Sequence, residues 1–373
     1  MQFSIERASL LKALSHVQSV VEKRTTIPIL ANVLLTADQG VLALCATDMD
    51  IEIIEHVPAT VAQSGSTTVA AARLYEIVRK LPDDSSITFQ LNDAATLMSF
   101  SCGKSNFKLG CLPREDFPAM AAPADTQSFR VAVTAFKKLI DRTKFAMSNE
   151  ETRYYLNGIY MHSVDEDNVP MLRAAATDGH RLARFQMPLP EGAAQMPGII
   201  VPRKTVGELR KLLDEAGDDV LVAVTDKMIR LTFDHITLTS KLVDGTFPDY
   251  ERVIPQQNDK TLTLDPRQFS KAVDRVATVA AEKTRAVKLS IKGKTLVLSA
   301  SNTDSDSALE EVQVEFDHAV PLDIGFNAKY LLDVTQLIDS DSCRMLVGDG
   351  NTPAIVQDNH DLSALYVLMP MRV

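Results

Sequence analysis

Internal repetition is the strongest constraint on this chain: one series of elements occurs three times, at a domain-sized period. Each repeat opens with a short alternating strand and an amphipathic helix. The pairs are Phe3-Ser-Ile-Glu with a helix over 8–21, Phe129-Arg-Val-Ala-Val with a helix over 135–147, and Leu262-Thr-Leu with a helix over 266–280. Phe3, Phe129 and Leu262 thus start repeats that lie 126 and then 133 residues apart. Solenoid repeats run to only about 20–50 residues, so each unit here is long enough to be a folded module. Within each repeat a strand runs into a short polar motif: Ala46-Thr-Asp, Ala176-Thr-Asp-Gly-His and Ala300-Ser-Asn. A second strand and helix follow, with helices over 72–81, 203–213 and 327–338, and alternating strands at 97–111, 228–243 and 343–369 close the units. Strand, helix, strand, helix, strand predicts an α+β module with two helices against sheet. Pro-, Ala- and Asp-containing stretches at 118–125 and 255–260 mark boundaries, giving domains 1–127, 128–256 and 257–373.

Length agrees, since 373 residues at roughly 100–200 per domain make two or three domains. No stretch reaches the roughly 18 consecutive apolar residues that suggest a membrane span. The N-terminus carries Glu6 and Arg7 and has no positive start followed by an apolar run, so a secretory signal is not expected and a cytoplasmic protein is. Cys45, Cys102, Cys111 and Cys343 form no C-x-x-C pair and sit in apolar surroundings, as reduced packing cysteines do.

With 39 Lys and Arg against 49 Asp and Glu, the formal charge is −10. The average argues against nucleic acid, but the distribution carries more information. In the first opening helix Leu10, Leu14, Val17 and Val21 form an apolar stripe, and Lys12, His16, Ser19 and Lys23 lie opposite. In the third repeat Phe269, Val273 and Val276 face inward, with Arg267, Lys271 and Arg275 outward. The second offers Phe136 and Ile140 inward, with Lys138 and Arg142 outward. The second helices are basic more weakly, through Arg79 and Lys80, Lys204 and Lys211, and Lys329, interrupted by Glu76, Glu208 and Asp333. Arg73 and Arg203, in the same helices, join the candidates. One basic helix face is an ordinary solvated surface. Recurrence in an acidic chain favours a binding role, and if all these helices faced a shared cavity its lumen would be positive. Such a cavity would hold duplex DNA through its phosphates, a salt-dependent attraction without sequence information, which suits a sliding protein. No zinc-finger or basic-zipper pattern supplies base contacts.

Five motifs narrow the reading further: Arg153-Tyr-Tyr-Leu-Asn-Gly158, Ala176-Thr-Asp-Gly-His-Arg-Leu182, Ile200-Val-Pro-Arg-Lys204, Ser240-Lys-Leu-Val-Asp-Gly-Thr-Phe-Pro-Asp-Tyr250 and Tyr366-Val-Leu-Met-Pro-Met-Arg372. In these, and along its whole length, the chain resembles the bacterial DNA polymerase III beta subunits, the beta sliding clamps. The resemblance implies three repeated clamp domains per chain and a ring-shaped head-to-tail homodimer, with helices lining a central hole and sheets outside. It implies a dimer interface at 104–109, with Phe107 and Leu109 as apolar contacts, and at Thr278 and Val279. It also implies a pocket for partner peptides formed by Leu156, Thr177, Gly179, His180, Arg181, Leu182, Pro248, Arg252, Val253, Asn327, Tyr330, Val367, Met369, Pro370, Met371 and Arg372. The implied partners are duplex DNA, a second copy of the chain, the clamp loader, the DNA polymerase III alpha subunit, and other polymerases and repair proteins. For DNA the resemblance adds Arg24, Arg153, Tyr154 and Tyr155. It implies no cofactor.

An enzyme reading rests on Asp178-Gly-His180 beside Arg181, but no nucleophile stands nearby, and an Asp/His pair is more often a hydrogen-bonded turn. The seven histidines form no ligand-spaced cluster, and no G-x-x-x-x-G-K-[ST] loop is present to bind ATP. A scaffold that never touches DNA is the remaining alternative, favoured by the net charge.

Overall fold

The computed structural model describes residues 1–22, 26–122, 124 and 126–372. Arg24, expected at DNA, and Lys23 lie outside the described residues. The helices are α1 (Arg7–Val17), α2 (Ala71–Arg79), α3 (Val133–Thr143), α4 (Arg203–Leu213), α5 (Pro266–Ala277) and α6 (Ala328–Thr335). The predicted apolar stripes are buried, from Leu10, Leu14 and Val17 through Phe136 and Ile140 to Phe269, Val273 and Val276. The opening helices stop short of the predicted Val21, Met147 and Ala280. Beyond them the backbone tightens to i→i−3 bonds: Val20 N–H donates to Val17 O at 3.3 Å, Met147 to Lys144 O at 3.4 Å and Ala280 to Ala277 O at 3.1 Å. The tightened turn still buries Val20. At the start of α5, Asp265 Oδ1 accepts the N–H groups of Arg267 and Gln268 at 2.8 and 3.1 Å, with Pro266 as first helical residue.

The chain packs as two compact units, Met1–Lys137 with Pro190–Pro197 and Lys204–Leu242, and Lys138–Leu189 with Gly198–Arg203 and Val243–Val373. The first holds a 13-stranded antiparallel sheet, and the second a 9-stranded and a 4-stranded sheet. The middle repeat contributes strands to both units, because its sheets pair with those of its neighbours. In the first unit Ile236–Lys241, which closes the second repeat, pairs with Ile51–Pro58, which follows the polar motif of the first; Ile236 faces Glu55 and Ser240 faces Ile51. In the second unit Ala364–Leu368, which closes the third repeat, pairs with Arg181–Pro188, which follows the motif of the second; Arg181 faces Leu368 and Phe185 faces Ala364. The two seams obey one rule. The corresponding strand of the third repeat, Ser307–Gln313, pairs only with Thr295–Ser301. Ser105–Leu112, which closes the first repeat, pairs with Leu97–Cys102 and meets Gly65–Ala70 only at Cys111 and Leu112. Among the described residues these two strands keep an open edge.

Ion pairs reinforce both seams and correct two sequence expectations. His16 and Arg142, assigned to solvent faces, are each 8% exposed. His16 Nδ1 lies 2.8 Å from Glu55 Oε2, and its Nε2 lies 3.1 Å from Oε1 of Glu215, which follows α4. His235 Nε2 lies 3.2 Å from the other Glu55 oxygen. Arg142 bonds to Asp339, which follows α6. Periodicity finds the face opposite the core stripe, but at this position that face meets the next repeat rather than water.

Burial opposes a charge on His16, and its bonds to Glu55 and Glu215 outweigh that, so its pKa is raised above 6.5. A base whose pKa rises on folding stabilises the fold fully below its unfolded value, and the contribution is lost as pH climbs through the folded value. In urea unfolding, the advantage of the native chain over a His16→Gln variant should be largest below pH 6.5 and shrink above it. An advantage that grows with pH would contradict the seam pairing.

Candidate functional site

A cavity of about 210 Å³ opens at the seam of the second and third repeats, with walls that are almost wholly apolar. Its floor is core: Leu156, Leu182 and Val367 are buried in one cluster with Phe247, Tyr250, Ile355 and Leu365. Leu182 and Val367 stand opposite each other across the paired strands. One wall is the segment Phe247-Pro-Asp-Tyr250. Phe247 stacks on Tyr160 at 5.0 Å and 7°, Tyr160 stacks on His162 at 4.7 Å, and His162 Nε2 lies 2.9 Å from the Tyr250 hydroxyl. Burial raises the Tyr250 pKa and lowers that of His162, so the pair bonds in its neutral forms. The polar ends thus satisfy each other behind the wall, while Pro248, Asp249 and Tyr250 face the cavity. The rim is loose: Val253 is 51% and Met369 42% exposed, and an unbranched thioether adapts to differently shaped ligands.

Arg181 braces the far side. Its Nε meets Asp178 Oδ2 at 3.1 Å, Nη1 bonds to Asp333 of α6, and Nη2 donates to Phe145 O at 2.7 Å. Its guanidinium carbon sits 5.0 Å from the Phe145 ring centre and 4.4 Å from that of Tyr330. The group that looked catalytic is a turn: Asp178 Oδ1 accepts the N–H groups of His180 and Arg181 at 2.9 and 3.1 Å. Gly179 has φ +88°, a left-handed conformation that the turn requires and that glycine adopts without strain.

The cavity gathers Leu156, Thr177, Gly179, Arg181, Leu182, Pro248, Val253, Val367 and Met369 from the expected set. The others stand outside its lining. His180 is exposed, and its carbonyl accepts the Met369 N–H at 3.0 Å. Arg252 pairs with Asp249 at 2.7 Å. Asn327 caps α6 through the Lys329 N–H at 2.9 Å, and Tyr330 backs Arg181. The chain then turns away at Pro370: Met371 N–H bonds to Gly325 O at 2.8 Å, and Arg372 lines a separate cavity of about 600 Å³ with Lys288 and Leu309. Asp249 and Tyr250 line the site without having been predicted, because a loop has no hydrophobic period to expose them.

Among the described residues the expected DNA cations are surface groups, and most hold a carboxylate. Lys12 reaches Glu215 at 2.8 Å, Arg79 reaches Glu76 at 2.7 Å, Lys138 reaches Asp361 at 2.6 Å, Arg153 reaches Glu150 at 2.6 Å and Lys211 reaches Glu208 at 2.9 Å. Lys204 bonds to Asp48, and Arg275 to Glu310. Arg203 donates to Met147 O at 2.6 Å. Arg73 and Lys271 are exposed. Tyr154 and Tyr155 meet edge to face at 5.8 Å, Tyr154 outermost. Of the expected dimer contacts, Phe107, Leu109 and Val279 are half-buried, and Thr278 is the exposed C-cap of α5.

A chain of three like modules, with paired strands at two internal seams and an apolar cleft at the second, has the build of a clamp. Residues 1–121, 130–249 and 251–372 match the families described as the N-terminal, central and C-terminal domains of the DNA polymerase III beta subunit. The beta sliding clamp of Caulobacter vibrioides is 49% identical over 373 residues, and that of Escherichia coli K12 37% identical over 374, each comparison covering 100% of both chains. Among solved structures, Caulobacter crescentus pol III beta superposes with TM-score 0.95 at 48% identity. A Bartonella birtlesii sliding clamp bound to griselimycin superposes with TM-score 0.96 at 46%, both covering 100% of each chain. The chain belongs to the DNA polymerase III beta subunit family, the beta sliding clamps, and its function is that of a processivity factor.

Removing the ring at Phe247 should leave a void beside Tyr160 and unseat the cleft wall. Phe247→Ala is expected to lower the unfolding free energy by about 3–5 kcal/mol, read as a lower urea midpoint at unchanged slope. A loss under about 1 kcal/mol would show that the wall stands without the stack.

Proposed function

We propose that two copies of this chain close head to tail into a ring around duplex DNA, and that the cleft at the seam of the second and third repeats captures short peptide segments of DNA polymerases and other partners. The seam rule is the observation that carries closure. At each seam inside the chain, the closing strand of one repeat pairs with the post-motif strand of the repeat before it. Applied once more, the open edge of Ser105–Leu112 on one chain takes the open edge of Ser307–Gln313 on another. Two chains arranged so leave neither edge open, and a closed ring with heterologous contacts is the result. The edges suit each other. Phe107 ends a ladder of stacked rings through Phe100, Phe89 and Phe3, with centroids 5.1, 5.0 and 4.7 Å apart, so its outer face is held rigid. Leu309, on the opposing strand, is 68% exposed. Lys104 precedes the first edge and Lys108 lies on it, and Glu310 and Glu311 lie on the second.

Helices turned toward the hole would present the cations to phosphate. The cations keep exposed side chains even where the partner carboxylate, as with Asp48 and Glu208, is largely covered, so a passing phosphate can reach them without being held. The attraction is salt-dependent and reads no sequence. The cleft takes a peptide by burying its apolar side chains on Leu156, Leu182 and Val367, with Met369 adapting to different partners. The clamp loader, the DNA polymerase III alpha subunit and repair polymerases would share it in turn, in the cytoplasm where the chromosome lies. The chain performs no catalysis in this reading.

Sedimentation of the purified chain should give about twice 40.9 kDa, and a monomer at micromolar concentration would end the ring reading. Loaded on nicked circular DNA, the protein should be retained until the circle is linearised. Lys204→Ala with Lys211→Ala should shorten that retention at low salt and flatten its salt dependence, so that the difference from the native chain shrinks as salt rises. Retention indifferent to linearisation would mean ordinary binding rather than encirclement. Ending the chain after Leu368 should abolish capture of a polymerase peptide and leave the dimer; normal capture would dismiss the cleft.

A further inference from the structure

The opening helices share one register, since Lys12, Lys138 and Lys271 each follow a buried Leu10, Phe136 or Phe269 by two residues. One helical turn on stand His16, Arg142 and Arg275. His16 holds two carboxylates: Glu55 on the post-motif strand of its own repeat, and Glu215 after α4 of the next repeat. Arg142 holds Asp339, after α6 of the next repeat. Among the described residues Arg275 holds Glu310 alone, with its Nε 2.9 Å from Glu310 Oε2. Glu310 is the counterpart of Glu55: Thr47 faces Glu52 and Ser301 faces Ser307 across equivalent hairpins, and each glutamate lies three residues on. The carboxylate of the next repeat is therefore the one that Arg275 lacks.

For the third repeat, the next one is the first repeat of a second chain. The segment there that corresponds to the residues after α4 and α6 is Leu81-Pro-Asp83-Asp84. Asp339 lies four residues before Cys343, which pairs with Leu264 two residues ahead of α5. Asp83 lies four residues before Ile87, which pairs with Ile5 two residues ahead of α1. Asp83 is thus the counterpart of Asp339. Its side chain is 86% exposed, and only Oδ1 is engaged, by Arg7 at 2.6 Å.

We infer that Arg275 of one chain forms an ion pair with Asp83 of the other, completing at the subunit interface the helix-end contact that His16 and Arg142 make at the internal seams. This rests on the head-to-tail ring. It moves Arg275 from the DNA-facing set to the closure of the ring, one turn from Thr278 and Val279. The pair would be partly shielded by the paired strands beside it and would occur twice per dimer.

The test is a double-mutant cycle on the dimer dissociation constant of the full chain, read by sedimentation or fluorescence on dilution at low salt. Arg275→Gln and Asp83→Asn should each raise it about tenfold, the product of two equivalent interfaces. The double variant should be no weaker than either single one, because the contact is already lost. Arg275→Glu should weaken the dimer further, and adding Asp83→Arg should recover most of that loss. Unchanged dissociation constants, or additive effects without recovery, would overturn the pair while leaving the ring intact. A native chain that does not dimerise would instead remove the ring, and the pair with it. Unfolding midpoints of the dilute monomers keep a folding defect from being read as lost closure.

Discussion

A strand at the margin of a sheet carries a row of backbone donors and acceptors that must find partners in protein or water. In this chain the need is met repeat by repeat, as the last strand of one module completes the sheet of the module before it. Ile236–Lys241 against Ile51–Pro58 and Ala364–Leu368 against Arg181–Pro188 are two instances of one solution. The sheets therefore run through the repeat boundaries, and the middle module cannot be lifted out without baring two edges. The same need drives closure between chains, since a linear array of such modules always ends in one unfilled edge of each kind.

Electrostatics is arranged on top of that backbone frame. A chain of charge −10 keeps most of its candidate DNA cations beside carboxylates, so the groups are neutralised but not buried. Phosphate can displace an exposed carboxylate at little cost, and the reverse exchange is as easy, which favours movement along DNA over residence. His16 and Arg142, cations that are themselves buried, have a different consequence: they fix the ends of helices against the adjoining repeat. Burial separates the two roles, and similar residue types serve both.

The cleft follows from the same seam. Pairing of Arg181–Pro188 with Ala364–Leu368 brings Leu182 beside Val367, and the stacked Tyr160, Phe247 and His162 set a loop over them as a wall. Arg181, saturated by Asp178, Asp333 and Phe145, holds the motif turn against α6. A buried floor with an exposed, unbranched methionine at the rim can take a common apolar anchor from peptides that differ elsewhere.

Much of this was legible in the residues. Periods of 3.6 and 2 showed the repeats, the six helix positions and the inward stripes, because core burial imposes a local alternation that survives in one dimension. Resemblance supplied the cleft, and Leu156, Leu182, Val367 and Met369 line it, whereas His180, Asn327 and Arg372 do not. Tyr250 was missed as lining because loops carry no period. The exposed roles given to His16 and Arg142 failed for a related reason: a helical period separates the core stripe from everything else and is blind to what lies opposite. Sequence by itself determined the module, its threefold use and its cores, all properties of neighbours along the chain. Only the tertiary structure decided which strand edges are filled and how cations such as Lys12, His16, Lys138 and Lys204 are neutralised, because those depend on partners more than a hundred residues away that no local pattern encodes.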